Sequence, residues 1–575
     1  MTLAVEDDPR KVCDDVNLYN MDEMLKYFAT FEKLSGTREA ERAVQYIIDR
    51  LKQYGVECEK YVFDAYISNP LCSTLEIIGK KYRMESRPRS FSKDCPYGIE
   101  GEIIFDPYSA GSTLSTRELD LFYEKFKNKI VLSYSYDEGY AKKIEKYGAI
   151  GLIQIWPSKE DALHEDTVGA VWGTPTLDSE YFLLDIPVIS IKNSDGAMLE
   201  SLLQKERIQV KFYSNVDTKV CKVSLPVARI QGKSEDFVLL SGHYDTWYEG
   251  MTDNGASNAA CLEAARILSA NKERLLRSVR IAWWPGHSNG RYMGSTWYCD
   301  NFWDLLYEHC VAHINSDCIG SKDTNAVFVK TTLWEGKNFI GDIVKDITGD
   351  DPAEYGRIGR GADQSFWGPR IPIHIMTRHE VSRENRIFAC PGAGVWWWHT
   401  TEDTYDKIDK EILMKDTKIL IETVYKLATA EVLPHDFDSY FDNSRRILEK
   451  VDHNSDKEFD FNDMYLWLEA LRKKTKYIFE QQNLSVDMYN RLMKLIGGEM
   501  NRLMYSYSSR YEHDAAIATQ LFPYISAVNG IYKNNTGEKE YLFIKTEFVR
   551  QRNRFITEIK YIIKEADLIL STWRS

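Results

Sequence analysis

From about residue 225 the chain repeats one unit: an unbroken apolar run of strand length, a loop, then an amphipathic helix. DFVLLSG precedes NAACLEAARIL, VRIAWW precedes STWYCDNFWDLL, VAHINS precedes KNFIGDIVKDI, and IPIHIM is the last run. Strands that are apolar throughout, rather than at alternate positions, have both faces covered, and their alternation with helices predicts a mainly parallel, doubly covered α/β sheet. Sheets of this kind hold ligands beyond the C-terminal ends of their strands, so the residues just after these runs are where chemistry is expected. A helix around 410–433 closes the unit, and Pro434 punctuates it.

The flanking segments read differently. Residues 20–54 predict two helices, the second with Ala43, Tyr46, Ile47 and Leu51 on one face and Gly55 as its stop. Residues 70–220 hold short β-like runs, LEIIG, KIVLSYSY, IGLIQIW and IPVISI, interleaved with helical YAKKIEKYG and DGAMLESLLQK, which predicts a separate insert. Beyond 436 the pattern is helical. A chain of 575 residues exceeds what one core organises. The expected division is 1–65 with 222–435, an insert over 66–221, and a helical domain over 436–575.

Composition narrows the function. A net charge of −14 sets most of the surface against nucleic acid and anionic lipid, leaving a small-molecule or short peptide substrate. No apolar window reaches the ~18 residues of a membrane span, and the acidic N-terminus lacks a signal-peptide core, so the expected compartment is the cytoplasm. Ten cysteines without a CxxC pair predict reduced, mostly buried thiols rather than disulfides or a cysteine zinc ribbon.

Four residues at predicted strand ends or loops carry metal-ligand chemistry. DFVLLSG runs into His243, followed by Asp245 and, before the next helix, Asp253; VAHINS leads to Asp317; His399 precedes the closing helix. His, Asp, Asp and His form a nitrogen and oxygen set suited to zinc, and also to manganese, cobalt or iron. Asp245 is placed to orient His243, and Asp403 to orient His399.

The stretches GTREAERAVQYIIDRLKQYGVE, SGHYDTWYEGMTDNGASNAACLEAARIL, INSDCIG, ADQSFWGPRIP and HTTEDTYDKID resemble the zinc metallopeptidases that include bacterial leucyl aminopeptidases and glutamate carboxypeptidase II, with the transferrin receptor as a non-catalytic relative. The resemblance implies a protease-associated apical domain for the insert and a dimerisation domain for the C-terminal helices, hence a homodimer. It also implies one metal on His243, Asp253 and Asp317, with Asp253 bridging to a second on His399. The family completes that second site with a glutamate and places a general-base glutamate just before it. Here WWPGHSNGRYMGSTWY has neither. Depending on one gap, Ser288-Asn289 or His287-Ser288 occupies the pair, so one ion is expected firmly, and the second is either completed by His287 or weakened.

If water activation needs a base, His287, Glu249, Glu402 and Glu380 are the alternatives, and loss of a positioned base costs a factor of ~10² to 10⁴. Arg357, Arg360, Arg378 and His379, in loops after predicted strands, are candidates to bind a substrate carboxylate, and Trp398 to line the pocket. The expected activity is metal-dependent hydrolysis of an amide or peptide-like bond with a non-standard base. Opening of a cyclic amide or imide, or a receptor-like binding role, stays open beside it.

Overall fold

The computed structural model describes residues 11–574 apart from 110, 113, 136, 334–336, 387–391 and 482. The strands Arg277–Trp284, Ser234–His243, Cys310–Asn315 and Ile373–Glu380 lie side by side in that order, each parallel to the next. Their apolar runs serve two faces by simple alternation. Val238 and Leu240 enter a core with the helices Arg38–Gln53, Ala256–Ala270 and Lys410–Thr429, while Phe237 and Leu239 enter another with Tyr298, Cys299 and Leu306. Each such side chain contributes about 1.5–3 kcal/mol on burial, which fixes the register of the strand that delivers His243.

The sheet is antiparallel at its margins. Gln209–Ile230 runs against Arg277–Trp284, and Ala326–Thr331 against Ile373–Glu380, with Glu354–Arg357 outermost. These last two strands were not among the expected elements: AVFVKT and EYGR are short, Lys330 interrupts the first, and every residue of the second is only half-buried, so neither leaves an unbroken apolar signature. The expected helix STWYCDNFWDLL is two, Met293–Asn301 and Trp303–His309, broken where Phe302 leaves the helical region at φ −117° and ψ 31°.

Two long strands, Glu57–Ile77 and Gln209–Ile230, pair antiparallel along their length and carry the chain from the first helices into the insert and back. The pairs Ala65↔Cys221 and Tyr66↔Val220 belong to this ribbon, whose register shifts once, between Pro70 and Cys72. Beyond it, Arg83–Pro88, Cys95–Phe105, Ile130–Ser133, Gly151–Ile155 and Val188–Ile191 continue the sheet, with Glu138–Lys146 and Asn193–Leu203 as helices. The C-terminal helices Phe437–Asn454, Asn462–Phe479, Val486–Tyr505 and Glu538–Arg574 pack together, and Asn501 Nδ2 donates to the carbonyls of Ile371 and Pro372 at 3.2 and 2.7 Å, fastening them to the sheet. Among the described residues no helix is long and apolar enough to cross a membrane. Nine cysteines are free thiols, five of them buried; Cys390 and residues 1–10 lie outside the described residues.

The loop after Arg277–Trp284 turns tightly under Gly294, where a Cβ would sit 2.5 Å from the Pro285 carbonyl oxygen and 2.9 Å from its nitrogen. Backbone cannot yield as a side-chain tip can. Gly294→Ala is expected to destabilise the fold by about 1–3 kcal/mol, read as a lower urea midpoint at unchanged slope; an unchanged midpoint would refute this packing.

Candidate metal centre and active site

The ends of the parallel strands bring the four expected ligands together around one carboxylate. His243 closes its strand, Asp317 follows Cys310–Asn315 by two residues, Asp253 lies just before the helix Ala256–Ala270, and His399 sits in the turn ahead of Lys410–Thr429. His243 Nε2 lies 3.1 Å from Asp253 Oδ1 and 3.5 Å from Asp317 Oδ1, while Asp253 Oδ2 lies 3.0 Å from His399 Nε2. All four are buried.

These residues fit a cation. His243 Nε2 and Asp253 Oδ1 are both buried and neither has a hydrogen-bond partner, although they face each other across 3.1 Å. Burial disfavours protonation of His243, yet Asp253 and Asp317 outweigh it and hold the imidazole pKa well above its ordinary value. Burial likewise raises the Asp253 carboxyl, but His243 and His399 carry it well below the usual range. Two buried carboxylates converging on one imidazole nitrogen are compensated by a positive charge, and the donor set suits zinc.

The expected orienting roles fall to different atoms. His243 Nδ1 donates to the backbone carbonyl of Asp245 at 2.9 Å, and the Asp245 carboxylate is more distant at 3.8 Å. That carboxylate instead accepts the backbone N–H groups of His287 and Ser288 at 3.1 and 3.0 Å, pinning the loop that lacks the glutamate pair. Asp403 does not touch His399. It accepts from Thr252 N, Thr252 Oγ1 and Asp253 N at 2.8, 2.7 and 3.0 Å, and burial, opposed by these bonds, pushes its carboxyl up to about 6. His399 is oriented from the insert: its Nδ1 donates to the Glu165 carbonyl at 3.1 Å, and Glu165 N donates to the His399 carbonyl at 2.8 Å.

His287 stands beside the centre and groups with His243 and Asp317 as a possible ligand set. The two rings are stacked, centroids 3.7 Å apart and planes 7° from parallel. His287 Nδ1 is held by the Asp363 carboxylate at 2.7 Å, and Asp363 is held in turn by Ser295 Oγ at 2.7 Å. The neighbouring Arg291 pairs with Glu138 of the insert, and its carbonyl accepts Gly173 N at 2.7 Å.

Trp398 lies against the centre, its indole N–H donating to Asp253 Oδ2 at 2.6 Å, and Trp396 rather than Trp398 lines the cavity described below. The other expected substrate-side residues are engaged elsewhere. Arg357 lies over the Tyr440 ring with Nη1 3.0 Å from Met504 Sδ, and Arg360 donates to the Ala515 carbonyl and Thr519 Oγ1 at 3.0 and 2.9 Å, so both fasten their loop to the C-terminal region. Arg378 is buried, donating to Glu380 Oε1 and the Asp317 carbonyl at 2.9 Å each, and His379 Nδ1 donates to Asp416 at 2.6 Å. Glu249, one of the alternative bases, offers its backbone carbonyl to Lys33 Nζ at 2.8 Å. Glu380, salt-bridged by Lys330, Arg378 and Arg386, is no free base.

The reading of the sequence missed Asp363 and the insert segment 164–166. Asp363 was legible only as part of ADQS, with no spacing to tie it to His287, and nothing in a β-rich insert marks Glu165 as a neighbour of His399. A cavity of about 770 Å³ opens between the insert, which contributes Arg87, Asp161 and Lys192, and the turn with Trp396 and Glu402; none of the four metal-centre residues lines it.

Residues 227–424 match the family model of Peptidase family M28. The chain is 24% identical over 316 residues to aminopeptidase YwaD of Bacillus subtilis (strain 168), covering 54% of this chain and 64% of that protein. It is 25% identical over 249 residues to a probable glutamate carboxypeptidase, VP8, of Zea mays, covering 40% and 34%. It thus spans less than two thirds of the length of these curated relatives. In fold it is similar to an aminopeptidase from Aneurinibacillus sp. strain AM-1, with TM-score 0.54 and 21% identity over 72% of this chain and 95% of that one. The zinc aminopeptidase BSAP of Bacillus subtilis aligns with TM-score 0.54 and 19% identity over 74% and 98%.

Glu380 supports the centre at one remove, through Arg378 and the Asp317 carbonyl. Burial would raise its carboxyl, but Arg378 and Lys330 lower it to about 2. A depressed carboxyl stabilises the fold above its unfolded pKa, and that stabilisation is lost as pH falls toward the folded value. Glu380→Gln should therefore cost about 3 kcal/mol at neutral pH, with the deficit shrinking between about pH 4.5 and pH 2. A deficit independent of pH would contradict the charge assignment.

Proposed function

Because residues 227–424 match the model of Peptidase family M28, we propose that the protein hydrolyses an amide or peptide-like bond in a small substrate, with one divalent ion, zinc first among them, on His243, Asp253 and Asp317, and His287 as general base. The observation that carries the proposal is the His287–Asp363 pair set against the His243 ring. A bound ion would supply Lewis acidity toward water and the scissile carbonyl.

The chain's own residues do the proton work. A carboxylate only accepts, so Asp363 keeps the proton of His287 on Nδ1 and leaves the Nε2 lone pair available. His287 takes the proton of the attacking water at Nε2, Asp363 stabilises the resulting imidazolium, and the same nitrogen returns the proton to the departing amine. Asp245, through the N–H groups of His287 and Ser288, fixes the base against the ligands.

We also propose a homodimer through the C-terminal helices, on which Leu466, Tyr477, Leu542, Phe543 and Leu568 are exposed. Sedimentation equilibrium should give twice the 66.7 kDa chain mass; a monomer at all concentrations would refute it.

Assay of the zinc-loaded protein on dipeptides, acyl-amino acids and cyclic amides tests the activity. His287→Ala should lower kcat by about 10²–10⁴ and Asp363→Asn by about 10–100-fold, each with zinc content unchanged. Full turnover in His287→Ala would remove it as the base, and loss of zinc from that variant would make it a ligand instead.

A further inference from the structure

Between the helices Leu18–Phe28 and Arg38–Gln53 the chain passes through Glu32, Lys33 and Ser35, and these residues reach both the loop that leads to Asp253 and the loop that carries His287. Lys33 is fully buried, and its Nζ donates to the carbonyls of Phe28, Phe31 and Glu249 at 3.0, 3.0 and 2.8 Å. Burial pulls this amine down to about 7 against the pull of Glu32, Glu249 and Asp403. Three carbonyl acceptors call for three N–H donors, which only the ammonium has. The same loop is held one residue earlier, where Tyr248 N donates to Glu32 Oε1 at 2.8 Å.

Ser35, also fully buried, takes hold of the other loop. Its Oγ accepts Gly286 N at 2.7 Å, and its carbonyl accepts Asn289 Nδ2 at 3.1 Å. Gly286 and Asn289 bracket His287, whose own N–H and that of Ser288 are on Asp245. The loop of His287 is thus fixed at four consecutive residues. Lys33 and Ser35 stand two residues apart, and a link of that length spans at most about 7 Å, so the two loops cannot separate without breaking one of these bonds.

We propose that residues 32–35 form a clasp that sets the position of His287 against the metal carboxylates, with Lys33 positioning the loop of Asp253 and Ser35 the loop of His287. The proposal deepens the reading above, in which His287 is the base beside an ion on His243, Asp253 and Asp317. A base and a ligand delivered by different segments lose their alignment when either segment shifts, and a misplacement of about 1 Å costs about 10²-fold in rate. The two ends of the clasp act on different quantities. Lys33 governs metal affinity through the ligand loop, and Ser35 governs turnover through the base loop.

Zn²⁺ titration of the metal-free full-length protein, set beside the kcat and KM of the zinc-loaded protein, tests it. Lys33→Met should weaken zinc binding by about 10–100-fold. Ser35→Ala should lower kcat by about 10–100-fold with KM and zinc affinity unchanged, and the Gly286 amide should exchange its hydrogen up to about tenfold faster, the worth of one hydrogen bond. Should Lys33→Met not fold, Glu32→Ala, which frees the Tyr248 N–H on the same loop, takes its place and should weaken zinc in the same direction. Zinc affinity and kcat falling together in both variants, in step with the urea midpoint, would reduce the segment to general packing and overturn the proposal. Full turnover in His287→Ala would sink the reading on which the clasp rests, whereas full kcat in Ser35→Ala beside an inactive His287→Ala would overturn the clasp alone.

Discussion

The carboxylate of Asp253 is the interaction on which the site depends. One oxygen is turned to His243 and the other to His399 and Trp398, so two segments far apart in the chain converge on a single side chain. Its backbone is fixed by Asp403, which accepts both the Asp253 N–H and the Thr252 N–H. A buried carboxylate in such a place is stable only if its charge is met, and the surroundings meet it with two imidazoles, an indole N–H and room for a cation.

The loop after Arg277–Trp284 is the second point at which the fold determines chemistry. It contains no carboxylate, yet it is held as firmly as a catalytic loop: Asp245 grips its backbone from below, and the insert grips Arg291 from above. What that rigidity positions is His287, between the His243 ring and Asp363. An aspartate behind an imidazole fixes its tautomer, which is the requirement for a histidine to act as a base in place of a glutamate.

Much of this was legible in the sequence because it depends on period and chain order. Unbroken apolar runs gave the four parallel strands, and the strand ends and adjoining loops gave His243, Asp253, Asp317 and His399. The missed strand Ala326–Thr331 pairs on one side with the short Glu354–Arg357 and is interrupted by Lys330, so its pattern is weak. Second-layer contacts were misassigned for a different reason. Asp245 and Asp403 were expected to orient the histidines nearest in sequence, but backbone carbonyls do so, from Asp245 and Glu165. Spacing along a chain cannot reveal a carbonyl from an insert folded over the site. Arg357 and Arg360 show the same limit: loop arginines look available until a C-terminal helical region supplies their partners.

The account stands or falls on the surroundings of one ion. X-ray absorption at the zinc edge of the loaded protein measures them directly. The account predicts a single shell of nitrogen and oxygen donors at about 2.0–2.2 Å, with outer-shell scattering from one imidazole and no heavy neighbour. A metal–metal vector at about 3.5–4 Å, scattering from two or more imidazoles, or a sulfur donor from the adjacent Cys318 would contradict it.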